Sequence, residues 1–531
     1  MKQKNFPKFI YLLLILILTQ VDGTEISTTT QAGPGVWYTH TRIPEVPWDM
    51  HIMRIDLHNP WLRLESSKGQ DRLFAREATS SAAARKSYPG HRVIGAVNGD
   101  FYNVDTGEPI NAQIVNGQIV HRPTGRPTFA VSADSLPFIE YMNMSGTLRA
   151  VSGPEQSING VDQTRGADQL ILFNDFYGSN TTTNEFGTEV VCQPITPAVV
   201  NDTVRVVVSQ KVIDQGNTAI PAGELVFSGH GSAATFLNDQ INLGDTLRYI
   251  MRFTGVGNHA LSNAIGGNPI IVQNGQMINN DGVRHPRTGV GWDEEQHYLY
   301  FFVVDGRQPG LSAGMTLGEL GQFMAAHGVW RGLNLDGGGS STLVTQGVVR
   351  NSPSDGSERR VSNHMLVVSS APIGSLDSLW IVERERHVFQ NSSVTYSLRA
   401  WDEYRNPLLP DTLNLVWSCD AALGSISAGG VFSAGAVHDS GYVYVSNLTA
   451  TIRDSAFVIV DVATGVTLRP NPLVLRMGEA QPLQLEMHDT GGNRFPVPAG
   501  DVSWDLPETL LQQTGESEFT AINGGTGWLV A

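Results

Sequence analysis

The sequence predicts an α+β domain, a mixed sheet with few helices, followed by two all-β sandwich modules, and three observations carry that prediction. With 56 glycines and 27 prolines in 531 residues, 41% hydrophobic and only 16% charged, the composition favours a turn-rich β architecture over long helices. Up to about Val368 alternating strand patterns are interleaved with helical stretches, whereas beyond it only short period-two runs remain, such as Val394, Tyr396, Leu398 and Ala400. Finally, Asp402, Trp417 and Phe432 recur as Asp489, Trp504 and Phe519, each pair 87 residues apart, the mark of a repeated module.

Taken in order, Lys2, Lys4 and Lys8 precede an apolar run from Phe9 to Leu18 and small residues near Gly23. This is the pattern of an export signal over residues 1–23, the run being shorter than the roughly 20 residues of a membrane span. The mature chain is therefore expected to lack a transmembrane span and to be secreted, periplasmic or held at the cell surface. Residues 24–370 form the expected catalytic domain. Helical patterns fall near Leu73 to Ser87 and over Leu317 to Ala326; the second has a Thr316/Glu319 capping box and a stop at Gly328. Apolar strands are expected at Val93 to Val97, Tyr298 to Val304 and Leu333 to Leu335.

The repeat places sandwich modules at 376–463 and 464–531, the second short of its last strands. A tryptophan on a central strand and a length near 100 residues suit an immunoglobulin-like sandwich. Cys192 and Cys419 fall in different domains, so no disulfide is expected between them. A formal charge of −16, with no basic stripe, excludes nucleic acid as a partner.

The chemistry concentrates between Asn263 and Asn363. The strand Tyr298 to Val304 delivers Asp305-Gly306-Arg307, and the strand Leu333 to Leu335 delivers Asp336-Gly337-Gly338-Gly339-Ser340-Ser341. An aspartate at a strand end is held rigidly, while glycines after it let the backbone approach a ligand and turn N–H groups inward, a nest that suits phosphate. Ser340 and Ser341 add hydroxyl donors, and Arg287, Arg307 and Arg359 can supply fork-shaped contacts to anionic oxygens. A nucleotide P-loop is excluded because G-x-x-x-x-G-K-[ST] does not occur. Asn98-Gly99-Asp100 again puts an aspartate after a strand, in competition with a plain Asn-Gly hairpin turn.

Seven runs in order, N-G-D-F-Y-N, I-G-G-N-P…N-G, P-R-T-G-V-G-W, V-V-D-G-R, G-M-T-L-G-E-L, N-L-D-G-G-G-S-S-T and N-x-P-S-D-G-S-E-R-R-V-S-N, together resemble the phosphodiester glycosidase family. The resemblance spans Val93 to Val368 and is weak between Ala150 and Leu261. It implies hydrolysis between an anomeric carbon and a phosphate oxygen, with Asp336, Asp305 and Asp100 as catalytic carboxylates. Within its motifs Asn98, His285, Arg287, Thr288, Arg307, Asn334, Gly337, Gly338, Ser340, Ser341, Glu358 and Arg359 are the expected substrate contacts. Phosphate leaves as a stable anion, so a carboxylate at the sugar and a clamp on the phosphate matter more than a general acid.

The family's animal members carry a cysteine-rich module that this chain lacks, which points instead to a glycosyl phosphodiester or polysaccharide substrate at a bacterial surface. No cofactor is expected and no metal ligand is assigned, since His285 and His364 lack any H-E-x-x-H spacing; a structural Ca²⁺ or Mg²⁺ ion is the one addition left open. The rival readings are a metal-dependent hydrolase and a non-catalytic carbohydrate-binding surface protein, which a turnover assay separates from a phosphodiester glycosidase.

Overall fold

The computed structural model describes residues 25–279, 282–489, 492, 494–497 and 502–531. The export segment expected at residues 1–23 lies outside them. Among the described residues strands dominate, and there are three α-helices: α1 (Thr79–Arg85), α2 (Ser232–Gln240) and α3 (Leu317–Ala326). None is long and apolar enough to cross a membrane. The chain divides into two compact units, residues 1–372 and 373–531.

The single mixed sheet expected for the first unit resolves into two eight-stranded and two five-stranded sheets. In one eight-stranded sheet, Tyr298–Val304 pairs with Trp48–Asp56 and Arg287–Trp292, and Arg331–Asn334 lies next along. The unbroken apolar character of Tyr298–Val304 has a direct cause, because both faces are covered. Leu299, Phe301 and Val303 enter the core shared with Ile94, Phe129 and Met365. Tyr300, Phe302 and Val304 meet Leu317, Leu320 and Met324 of α3. The α3 capping box forms as expected: Glu319 N donates to Thr316 Oγ1 at 3.0 Å, and Thr316 N to Glu319 Oε2 at 2.8 Å. Gly328 ends the helix at φ 85°.

A five-stranded sheet centres on Arg92–Asn98, flanked by Leu343–Thr345 and Asn363–Ser369. That placement removes the hairpin reading of Asn98-Gly99. The helix expected from Leu73 begins only at Thr79, because the preceding segment bonds elsewhere: Leu73 N donates to Phe176 O, and Glu77 exchanges backbone bonds with Val361. The region of weak resemblance folds into the other eight-stranded sheet, Met144 to Phe253, around Leu148, Val190, Val206, Phe227 and Leu247, with Phe236 and Leu237 of α2 packed against it.

In the second unit the strands form three- and four-stranded sheets. Leu379, Phe432, Val443 and Val458 build a core against which Trp417 packs. The repeat landmarks recur in kind: Phe432 and Phe519 are both fully buried, and Trp504 meets Phe519 edge-on at 4.9 Å. Asp402, also buried, accepts from the backbone of Gly374, Tyr404 and Asn406.

Candidate active site

Strand pairing brings the two aspartate turns together. Leu335 N donates to Thr288 O and Gly338 N to Pro286 O, both at 2.9 Å, and Asp336 N donates to Gly99 O at 3.0 Å. Asp336 therefore stands where the ends of two sheets meet. Its half-buried carboxylate accepts from Gly337 N at 2.9 Å. Burial raises its pKa to about 6, against the opposing pull of the Ser340 hydroxyl, Gly337 N–H and the charge of Arg359.

Asp100 is fully buried one residue beyond Gly99. Desolvation raises it to about 7; the Asn111 and Phe101 N–H groups oppose this, and the neighbouring Asp336 charge adds to it. Oδ2 accepts from Asn111 N at 2.9 Å, whereas Oδ1 is buried without a hydrogen-bond partner. Close approach explains the glycine of I-G-G-N-P: a Cβ on Gly266 would lie 2.3 Å from Asp100 Oδ2. Asn363 Oδ1 fixes the turn by accepting from Asp100 N at 2.7 Å.

The glycine loop carries its own cations. The Arg307 guanidinium lies against Gly338, and one of its nitrogens is 3.1 Å from His285 Nδ1. Arg359 pairs with Asp355 at 2.7 Å and reaches 3.5 Å from Ser340 Oγ. A Cβ on Gly339 would fall 2.2 Å from both the Arg359 guanidinium and the Asp355 carboxylate, so this pair can rest on the loop only over glycine.

Buried Tyr102, unassigned from sequence although it stands in N-G-D-F-Y-N, is raised by burial and by the Asp336 charge, with its hydroxyl at Ser340 and donating to Arg360 O. Asn111, which holds Asp100 through its backbone N–H, carried no sequence signal.

Several expected contacts prove to be bracing instead. The buried carboxylate of Asp305 accepts from Asn351 Nδ2 at 3.0 Å and Ser352 N at 2.8 Å. Because Asn351 also donates to Ser341 O, Asp305 supports the loop from beneath. Arg287 is buried and donates to the carbonyls of Met315 and Val283, so two of its guanidinium nitrogens secure main chain. Glu358 accepts from Ser80 N at 2.7 Å and from Ser80 Oγ, capping α1, whose own Ala78 cannot.

Asn98, Thr288 and Ser341 form a buried chain: Thr288 Oγ1 donates to Asn98 Oδ1 at 2.9 Å and lies 3.2 Å from Ser341 Oγ, and Asn98 Nδ2 donates to Asp336 O at 2.7 Å. Asn334 donates to Asn268 O at 2.7 Å, its own Oδ1 being buried and unpartnered.

Metal-ligand types gather elsewhere. Among the described residues the groups with ligand atoms within 4.8 Å of one another are His40, Asp49, His51 and Asp56, His58, His297. In the first, His40 and His51 are cross-strand partners whose rings stack at 4.7 Å with 4° between planes. Both rings turn Nε2 to the same oxygen of Asp49, His40 at 2.6 Å and His51 at 3.1 Å; His51 Nε2 also lies 3.3 Å from Asp305, with Tyr38 OH at 2.8 Å from Nδ1.

Fold and site thus define a mostly β protein in which two neighbouring carboxylates, Asp100 and Asp336, stand beside a glycine loop flanked by Arg307 and Arg359. Residues 197–368 match the phosphodiester glycosidase family model. Over 73 residues it is 40% identical to mouse N-acetylglucosamine-1-phosphodiester α-N-acetylglucosaminidase, a match covering 14% of each chain. Among solved structures, a hypothetical protein from Synechocystis is similar at 19% identity, covering 66% of this chain and 65% of that one, with a TM-score of 0.48. The zebrafish N-acetylglucosamine-1-phosphodiester α-N-acetylglucosaminidase catalytic domain, auto-inhibited by its pro-peptide, is similar at 16% identity, covering 65% and 82%, with a TM-score of 0.32.

Proposed function

We propose that the chain is an exported phosphodiester glycosidase that hydrolyses the bond between the anomeric carbon and the phosphate oxygen of a sugar-1-phosphodiester. The observation that carries this reading is the pair Asp336 and Asp100, raised to about 6 and about 7, beside a glycine loop backed by Arg307 and Arg359. Raised carboxyls next to an anion cradle suit a reaction in which positive charge builds on a sugar while a phosphate departs. The family match, and the phosphodiester named for the mouse relative, support the same chemistry.

In this reading ionised Asp336 stabilises the oxocarbenium-like centre, and Arg307, Arg359 and Ser340 Oγ receive the phosphate oxygens. The C–O bond breaks with its electron pair leaving on phosphate, water adds to the anomeric carbon, and the proton it releases passes to the carboxyl pair. Arg287, Asp305, Asn98, Thr288 and Ser341 hold these groups in place. Residues 376–463 and 464–531 serve as immunoglobulin-like spacers that present the enzyme at a bacterial surface, where glycopolymers supply the substrate.

The test is a side-by-side screen of sugar-1-phosphodiesters and nitrophenyl glycosides in ¹⁸O-labelled water. Label in the released sugar, from phosphodiesters only, is the expected outcome. Label in the phosphate, or turnover of plain glycosides alone, would refute the reading.

A further inference from the structure

A surface of the first unit lined by neither Asp100 nor Asp336 has the build of a glycan-binding groove. One end is a cleft of about 480 Å³ lined by Phe74, Tyr177, Asn180, Thr182 and Asn217. It shares Gly178 and Ser179 with a second cleft of about 560 Å³, which carries Gln70, Arg72, Lys86 and Asn116. The two clefts adjoin at Gly178 and Ser179, so a chain of sugar rings lying over that shared wall would reach both.

The aromatic end is braced. Phe74 is 50% exposed, and its ring meets Tyr177 edge-on at 5.9 Å, which in turn rests against Phe173 at 4.8 Å. Tyr177 OH lies 2.9 Å from Thr182 Oγ1. Fully buried Glu189 ties the loop down, accepting from Thr181 Oγ1, Thr183 Oγ1 and Thr218 N at 3.0 to 3.1 Å. Asn180 Nδ2 is fixed on Asn217 O at 3.1 Å.

Thr182, which is β-branched, is nonetheless held in the left-handed region at φ 52°. Along the same groove Gln70, Asp71, Asn116 and Asn217 share that conformation, at φ 51°, 52°, 47° and 46°. For the aspartate and the asparagines this conformation is ordinary, Asn116 turning a hairpin with Gly117, so the strain is carried by the β-branched Thr182 at the aromatic end.

The lining also specifies the ligand's charge. Asp71 and Asp175 face Arg72 and Lys86, and Asp71 is already paired with Lys86 and Arg85, so the groove presents no net field of one sign. An exposed aromatic face with fixed amides and hydroxyls matches the apolar face and hydroxyl rim of a neutral pyranose. The groove is joined to the catalytic loops: Arg76, two residues after Phe74, donates to Val104 O at 2.8 Å, and Lys68 donates to both Ala75 O and Gly107 O. Residues 103–107 directly follow Asp100 and Tyr102.

We propose that this groove is a subsite for a neutral glycan chain, with Phe74 stacking on one sugar ring and Asn180, Thr182 and Asn217 at its hydroxyls. The subsite rests on the phosphodiester glycosidase reading only for its place beside the bond that is cleaved. The test is calorimetric titration of the full chain with neutral hexasaccharides of glucose, mannose and N-acetylglucosamine, and with a sulfated hexasaccharide. Saturable binding to at least one neutral chain is expected, weakened about tenfold in Phe74→Ala and restored in Phe74→Trp.

Failure of all three neutral chains to bind, preference for the sulfated one, or binding indifferent to Phe74→Ala would overturn the proposal. Binding is read without turnover, so the two readings fail separately. A protein that binds a hexasaccharide through Phe74 yet cleaves no phosphodiester refutes the reaction and keeps the subsite, and the reverse result refutes the subsite alone.

Discussion

Asp100 and Asp336 are electrostatic neighbours in different environments, Asp100 fully buried and Asp336 half-buried. With Asp336 raised to about 6, kcat/KM should rise through about pH 6 as it ionises into the form that stabilises the sugar cation. Because the Asp336 charge acts on Asp100, the apparent value belongs to the interacting pair rather than to either residue; a profile flat from pH 5 to 8 would contradict it.

The shift of Asp100 makes a stability prediction. Folded Asp100 holds its proton up to about 7 and the unfolded chain only to about 3.8, so stability is full below 3.8 and declines as pH rises through 7. Asp100→Asn should therefore raise stability at pH 8 by roughly 2–4 kcal/mol, with the gain vanishing near pH 3.5. Thermal melts at the two pH values check it.

The closeness of Asp336 to the glycine loop was legible from chain order, because the glycines follow it directly and Gly337 N donates back to its carboxylate. For Asp305, Arg287 and Glu358 the charge was legible but the direction of the side chain was not. Each points into main chain or buried amide, a tertiary fact with no local signature.

Among the elements, those with complete local signals were read correctly. The capping box and glycine stop located α3, and the continuous apolar run of Tyr298–Val304 reflected burial on both faces. The Met144 to Phe253 sheet escaped because its strands pair with partners far apart in sequence, as Thr203–Ile213 does with Thr246–Phe253 and Met144–Arg149 with the same strand. The helix expected from Leu73 failed because long-range backbone bonds to Phe176 and Val361 outweighed local helical preference.

That irregular stretch is secured by Lys68, wholly buried, whose ammonium donates to Ala75 O, Gly107 O and Ser362 O. Lys68→Met would leave Ala75 O unsatisfied, while Ser362 O keeps Gly69 N and Gly107 O keeps Ser362 Oγ, and should cost about 1–3 kcal/mol in denaturant unfolding. A loss below about 0.5 kcal/mol would mean that water replaces the ammonium without cost. At α3, Thr316→Ala should cost about 1 kcal/mol by the same measurement, from loss of the cap.

At the scale of the whole molecule, the boundary at residue 372 separates a unit containing every candidate site residue from one containing none of them. A chain ending at Pro372 should fold cooperatively and turn over small sugar-1-phosphodiesters at the full-length rate. A folded but inactive product would show that residues 373–531 contribute to the chemistry. The central claim, that Asp336 is the carboxylate working at the sugar, is tested most directly by single-turnover kinetics of Asp336→Asn on a sugar-1-phosphodiester. The rate should fall at least about a hundredfold, near 3 kcal/mol of transition-state stabilisation, with substrate affinity little changed. A near-normal rate in Asp336→Asn, with Asp100→Asn inactive, would contradict that assignment.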